Sequence, residues 1–388
     1  MSGMPRLSPA PVYTTLSASA LAAALGLGAA CGSTDQTGPK TAIAEIWNNR
    51  VAEGSQFGWD GVPAIIGSII VVENENNLVA LDRETGKILW STAVKNAPVP
   101  GAVNVVASNG TALAGEEFIT AVDDGTGQIK WRFKPDSVPA LVIASADDQT
   151  YYTGQLGIPV VYALDLTTGS LKWRTNVGSA WQYKGYVYGT SFSGDTLYVN
   201  VERFVTQNGG FTSAVVVALD KIDGHELWRY ETPTTSHGSR DAPIVFGNLL
   251  IIDDLSGHGV FAIDRFSPSS GEKWRVAAPG NAAGPTTPSV ISNGTLFTGF
   301  GGGYFYAIDA RTGTVKWSHQ TFQWVTGVTT CAGSAFANVA NIERYDAETG
   351  AITGHSASGK APLTSGLVTD GSRIYVSGED GVHAFACE

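Results

Sequence analysis

The reactive side chains of this sequence are few and scattered. Its three cysteines, Cys31, Cys331 and Cys387, include no Cys-x-x-Cys pair, which excludes both a zinc cluster and a dense disulfide scaffold. The six histidines, at positions 225, 237, 258, 319, 355 and 383, share no metal-ligand spacing, and no Gly-x-Ser-x-Gly elbow offers a serine nucleophile. Arg240 stands beside Asp241, where a guanidinium would keep the carboxylate ionised and able to take a proton. The net charge is −11 and basic runs are missing, so nucleic acid, whose phosphates demand cationic partners, is not an expected ligand.

Composition indicates what must position these residues. Only 15% of the 388 residues are charged and 43% are hydrophobic, which argues for a packed core rather than disorder. The 47 glycines and only 2 methionines fit short strands and tight turns better than helical bundles, so an all-β fold is expected. The first thirty residues differ. Arg6 is the only charge ahead of a small and apolar run, Leu16 to Ala30, of the length of a signal-peptide core and short for a bilayer span. The run ends Leu27-Gly28-Ala29-Ala30-Cys31 and resembles a bacterial lipobox, whose cysteine is lipidated and becomes the mature N-terminus. Leu27 stands four places before Cys31, where that pattern has three. Two outcomes stay open: lipidation of Cys31, or ordinary cleavage near Ala30 that leaves a free thiol. The expected organisation is a signal peptide over 1–30, a lipidation site and linker over 31–40, and a folded domain over 41–388.

That domain repeats itself. The phrase Leu78-Val-Ala-Leu-Asp82-Arg-Glu-Thr-Gly86-Lys-Ile-Leu-Trp90 recurs with aspartates at 82, 123, 165, 220, 264 and 309, and a degenerate copy at Asp346 has Gly354 where Trp should stand. Their mean spacing of 44 residues is that of a four-stranded propeller blade. In each copy Asp-x-x-Thr-Gly reads as a hairpin: Asp accepts hydrogen bonds from its own turn and Gly supplies the positive φ. The Trp that follows is expected to pack between neighbouring blades. The 348 residues from Thr41 onward hold about eight such units, with seven blades as the alternative count. Ile43 to Trp47 reads as a last strand without its turn, and Gly381 to Cys387 as a third strand without its fourth. The N-terminal strand is therefore expected to complete the C-terminal blade, leaving no open edge.

The unit Ala-Leu-Asp-x-x-Thr-Gly-x-x-x-Trp is similar to the pyrroloquinoline-quinone (PQQ)-type propeller repeat, and eight units in a lipoprotein-like chain resemble the outer-membrane assembly lipoprotein BamB and its relatives. The resemblance implies an exported, non-catalytic scaffold with a protein partner in the cell envelope, a lipid anchor, a monomeric propeller, and a periplasmic or outer-surface location. No cofactor is expected on this reading. The alternative that the same repeat implies is a quinoprotein dehydrogenase oxidising an alcohol or sugar, with PQQ and calcium in the funnel. Trp324 would then be the stacking platform and Asp241 or Asp254 the base or calcium ligand, although the adjacent cysteines of those enzymes are missing here.

Propeller topology sorts the remaining residues. The Asp-x-x-Thr-Gly and Asn-Gly turns share one face, and the connections between blades share the other with the loops between second and third strands. On this loop face the connections bring Trp59, Asp60, Trp181, Tyr183, His237, Arg240, Asp241, Trp324 and Lys360 towards the central channel, as a candidate binding set. Acids collect there too: Glu73, Glu75, Glu116, Glu117, Asp253, Asp254, Glu379 and Asp380, beside an insertion near Glu202 to Thr212. Cys331 and Cys387 fall near strand ends on the turn face in adjacent blades, either as a disulfide or as two small buried side chains.

Overall fold

In the computed structural model the described residues are 41–49, 62–74, 77–94, 105–115, 118–136, 143–155, 157–182, 185–205, 212–232, 241–254, 259–280, 288–321, 323–357, 363 and 365–388. They form eight antiparallel blades: 64–93, 106–133, 145–176, 185–231, 244–276, 290–320, 327–356 and 368–386. We number them one to eight. The first strands run nearest the axis. Val368–Thr369 of blade eight contacts Ala64–Ile66 of blade one, which closes the circle.

The expected closure is present. Glu45–Asn49 pairs antiparallel with Gly381–Ala386 as the outermost strand of blade eight. One detail differs from the single strand expected over Ile43 to Trp47. Thr41–Ile43 instead adds a fifth, parallel strand to the outer edge of blade seven, with Thr41 opposite Gly354 and Ile43 opposite Ser356. The N-terminal segment thus straddles two blades. A disulfide between Cys331 and Cys387, with Cα atoms 5.7 Å apart, joins the same two blades on the turn face.

The repeat residues explain why the blades stack. Asp82 accepts hydrogen bonds from the Thr85 N–H at 2.8 Å and the Thr85 hydroxyl at 2.7 Å. The same hydroxyl contact recurs at Asp123, Asp165, Asp309 and Asp346. Most repeat Trp residues then reach the next blade's turn. Trp90 donates its indole N–H to the Asp124 carbonyl at 2.7 Å, Trp131 to Leu166 at 2.9 Å, Trp173 to Lys221 at 2.9 Å and Trp317 to Ala347 at 3.0 Å. The indole ring lies on the turn glycine: a Cβ on Gly169 would sit 2.5 Å from Trp131. Asp, Gly and Trp therefore form one contact shared between neighbours. At these junctions it satisfies the indole N–H, whereas the Trp274 ring lies against Gly313 with its buried N–H unpaired among the described residues. Ring burial contributes about 2–3 kcal/mol per blade from apolar area alone.

Blade seven lacks the Trp for a steric reason. A Cβ on Gly354 would lie 2.7 Å from the Thr41 carbonyl oxygen and 3.2 Å from the Arg344 guanidinium. The junction with blade eight is filled instead by Ile43, which is buried among Phe336, Ile374 and Phe385 with the two half-cystines.

Candidate interaction face

Second strands run from the turn face to the loop face, so their fifth residues mark its rim. Strand register makes Glu73, Asn200, Asp253 and Asn338 equivalent: each pairs with the residue four before the turn aspartate of its own blade. Asn200 donates its amide to the Asp241 carbonyl at 2.7 Å, and Asn338 donates to the Ser365 carbonyl at 3.0 Å. Both acceptors lie on the segment leading into the next blade. These amides tie each rim position to its neighbour.

Asp253 occupies that position in blade five. An ionised carboxylate cannot donate, and here it accepts from the Ser289 hydroxyl at 3.2 Å, which itself bonds Thr298 at 2.8 Å. Burial pushes the Asp253 carboxyl well above the usual carboxylate range, and the nearby Asp241 and Asp254 carboxyls push it the same way. Asp254, 1% exposed, faces Arg275 at 3.2 Å. The acids expected in a solvated loop at 253 and 254 are therefore strand residues, buried and partnered, because the second strand of blade five extends through Asp254.

Blade four builds the most elaborate part of the face. Its first three strands, Gly185–Ser193, Thr196–Phe204 and Thr212–Asp220, are nine residues each, against six or fewer in other blades. The insertion expected near Glu202 to Thr212 is thus partly strand extension. Tyr186 packs edge-on against Phe204 at 4.7 Å and against Tyr188 at 6.0 Å, and the Tyr188 hydroxyl donates to Glu202 at 2.8 Å. Trp181 lies at 5.6 Å and 6.0 Å from the guanidinium groups of Arg203 and Arg229. Arg203 is in turn fixed by Glu231 at 2.8 and 2.9 Å. Gly178 and Gly185 make room for the Trp181 ring, since a Cβ on either would come within 2.7 Å.

Of the residues that sequence reasoning assembled, Trp181, Asp241 and Trp324 can be placed. Trp181 is packed within blade four and Asp241 leads into blade five. Trp324 stands in the connection between blades six and seven, 64% exposed and without an aromatic or cationic partner among the described residues. The three stand in three different blade-to-blade connections, ahead of blades four, five and seven. Cys31, Trp59, Asp60, Tyr183, His237, Arg240 and Lys360 lie outside the described residues, as do Glu75, Glu116 and Glu117. The rim amides Asn200 and Asn338, and Ser289, went unnoticed in the sequence. Their only signal is a polar residue at the fifth place of a second strand, visible once the register is known.

Comparisons with known proteins follow the architecture. A family model described as outer membrane protein assembly factor BamB matches residues 42–181, 115–267, 159–323 and 261–341. Among solved structures, BamB from Moraxella catarrhalis is similar over 89% of this chain and 99% of its own, with a TM-score of 0.67 and 16% identity. A europium-containing methanol dehydrogenase is similar over 86% and 84%, with a TM-score of 0.69 and 15% identity. At such identities the likeness is one of fold. A tetrathionate hydrolase from Acidithiobacillus ferrooxidans is 21% identical over 262 residues, covering 63% of this chain and 50% of that protein. The chain spans half or less of the length of the curated relatives it matches.

Proposed function

From the premise that this chain belongs to the family of the outer membrane protein assembly factor BamB, we propose that it is a non-catalytic interaction scaffold of the cell envelope. On this reading it is exported, anchored by lipid at Cys31, monomeric, and binds a protein partner through its loop face without a cofactor. The observation that carries the reading is Trp324. Trp131, Trp173, Trp274 and Trp317 of the repeat are only 8–9% exposed, whereas Trp324 holds 64% of its surface to solvent on the loop face. An exposed indole on a rigid rim is the anchor that protein interfaces favour, because it buries much apolar area at small entropic cost. The long strands of blade four and their aromatic facing would add a second contact region.

The quinoprotein alternative draws on the carboxyls of Asp241, Asp253 and Asp254. A quinone with calcium needs a stacking ring over a cluster of available carboxylates. Asp254 faces Arg275, Asp253 is hydrogen-bonded to Ser289, and Trp324 lies beyond blade six from both. These residues do not fit such a group. The test has two arms. Added PQQ and calcium should give no cofactor absorbance and no dye reduction with alcohols or sugars. Affinity capture from native membranes should recover an envelope protein with the intact chain. Dye reduction dependent on Asp241 would overturn the scaffold reading.

A further inference from the structure

The turn face carries two side chains that the repeat does not require. In each Asp-x-x-Thr-Gly hairpin the second residue after Asp forms the tip. That residue is Glu84, Gly125, Thr167, Arg311 and Glu348 in blades one, two, three, six and seven. In blades four and five, which are neighbours, it is Ile222 and Phe266. At 79% and 66% exposure these are the two most exposed large apolar residues described. Neither serves the core. Their turns close through backbone N–H groups, Ile222 to Asp220 at 2.7 Å and Phe266 to Asp264 at 2.9 Å. A basic residue precedes each tip. The Arg265 guanidinium lies over the Phe266 ring at 4.4 Å, and Lys221 pairs with Asp147 at 2.9 Å.

The path of the chain indicates what covers these tips. Thr41–Ile43 runs parallel to Ile352–Ser356, which rises from the Asp346–Gly350 turn. Thr41–Ile43 therefore runs from the turn-face side of blade seven towards its loop face. Cys31 precedes Thr41 by ten residues, a span of at most about 35 Å. A lipid on Cys31 would hold the turn face towards the bilayer.

We propose that Ile222 and Phe266 are a two-tip membrane contact, which dips into the headgroup region while Arg265 stays at the level of the phosphates. The orientation argument rests on the anchoring at Cys31 proposed above. Lipid and tips act as two weak attachments on one rigid body, which together hold far more firmly than either alone. The loop face, with Trp324, then points away from the membrane towards a partner.

The test uses the chain isolated with its native N-terminus, on vesicles of phosphatidylethanolamine and phosphatidylglycerol. An environment-sensitive fluorophore on Ile222→Cys should brighten and shift to the blue on vesicle binding, whereas the same label on Glu379→Cys, on the loop face, should not. The double variant Ile222→Asp/Phe266→Asp, with an unchanged circular dichroism spectrum, should leave vesicles about tenfold faster. An aqueous signal at position 222, or wild-type dissociation of the double variant, overturns the proposal, including where the tips capture a protein instead. Mass spectrometry of the N-terminal peptide reports lipidation separately, so a failed anchor and failed tips are told apart.

Discussion

Trp47 and Gly86 meet across the seam of the ring: the indole N–H of Trp47 reaches the Arg83 carbonyl at 3.1 Å, and its ring would lie 2.5 Å from a Cβ on Gly86. The strand Glu45–Asn49 thereby repeats, between blades eight and one, the contact made elsewhere between consecutive blades. Gly86→Ala meets two penalties there. Its φ of +68° disfavours any Cβ, at about 1–2 kcal/mol, and displacing a packed indole adds about 1–3 kcal/mol. Gly67, at φ +52° with nothing within 4 Å, meets only the first. Chemical denaturation should find Gly86→Ala clearly more destabilising than Gly67→Ala; equal losses would contradict the packing of Trp47.

The Cys331–Cys387 bond closes a stretch of 56 residues that contains most of blades seven and eight. Loop-closure entropy for that length gives about 4 kcal/mol. Cys331→Ser/Cys387→Ser should therefore lower the unfolding midpoint strongly, and reductant should do the same to the wild type and nothing to the variant. A wild type indifferent to reductant would show that the noncovalent cluster around Ile43 suffices.

Asp253 and Asp370 should respond to pH in opposite senses. Burial raises the Asp253 carboxyl, so its folded-state pKa lies above the unfolded value. The folded state then loses stability as pH climbs from about 4 towards that raised value. Asp253→Asn, which supplies the amide present at Asn200 and Asn338, should stabilise the protein at pH 7 and change little at pH 3. For Asp370, burial pushes upward, but hydrogen bonds from the Ser372 N–H, the Tyr375 and Ser372 hydroxyls and the Arg373 N–H hold it down to about 2. Its contribution is complete above about pH 4 and fades as pH falls towards 2. Asp370→Asn should therefore destabilise at neutral pH and converge on the wild type in acid. Denaturation curves across this range decide both.

The propeller was legible because Asp82, Gly86 and Trp90 recur for a local reason: most blades need the same hairpin and the same seal against their neighbour. The rim was not. The tie between Asn200 and the Asp241 carbonyl depends on the register of a second strand and on a connection 41 residues later, and neither leaves a period in the sequence. The three-residue parallel pairing of Thr41–Ile43 is likewise too short to show a pattern. Asp253 and Asp254 looked like loop acids because their burial depends on Ser289 and Arg275, 36 and 21 residues away.

Trp324→Ala should separate binding from folding. With its ring largely in solvent the substitution should leave the melting temperature within about 1 °C, consistent with a surface change of a few tenths of a kcal/mol. If the indole anchors a partner, affinity should fall about thirtyfold or more, the loss typical of a buried interfacial Trp. Capture from native membranes, followed by titration of the recovered partner, measures this directly; unchanged affinity would remove Trp324 from the interface.

Gly354→Trp restores the repeat residue that blade seven lacks, and a consensus argument would expect it to stabilise. The structure indicates the reverse. The space that a Trp would enter is held by the Thr41 carbonyl and by Arg344, whose guanidinium donates to the Thr41 hydroxyl at 3.0 Å and to the Thr353 hydroxyl at 3.1 Å. The indole would expel Thr41–Ile43 from the edge of blade seven and draw Ile43 out of the cluster between blades seven and eight. Loss of one buried isoleucine contact costs about 2–4 kcal/mol, while the seal gained would lack the turn glycine of a following blade, since blade eight takes its outer strand from the N-terminus. Denaturation should show a net loss of stability, and limited proteolysis should cleave ahead of Glu45 faster than in the wild type. A stabilised variant with unchanged proteolysis would mean that the N-terminal strand does not occupy this edge.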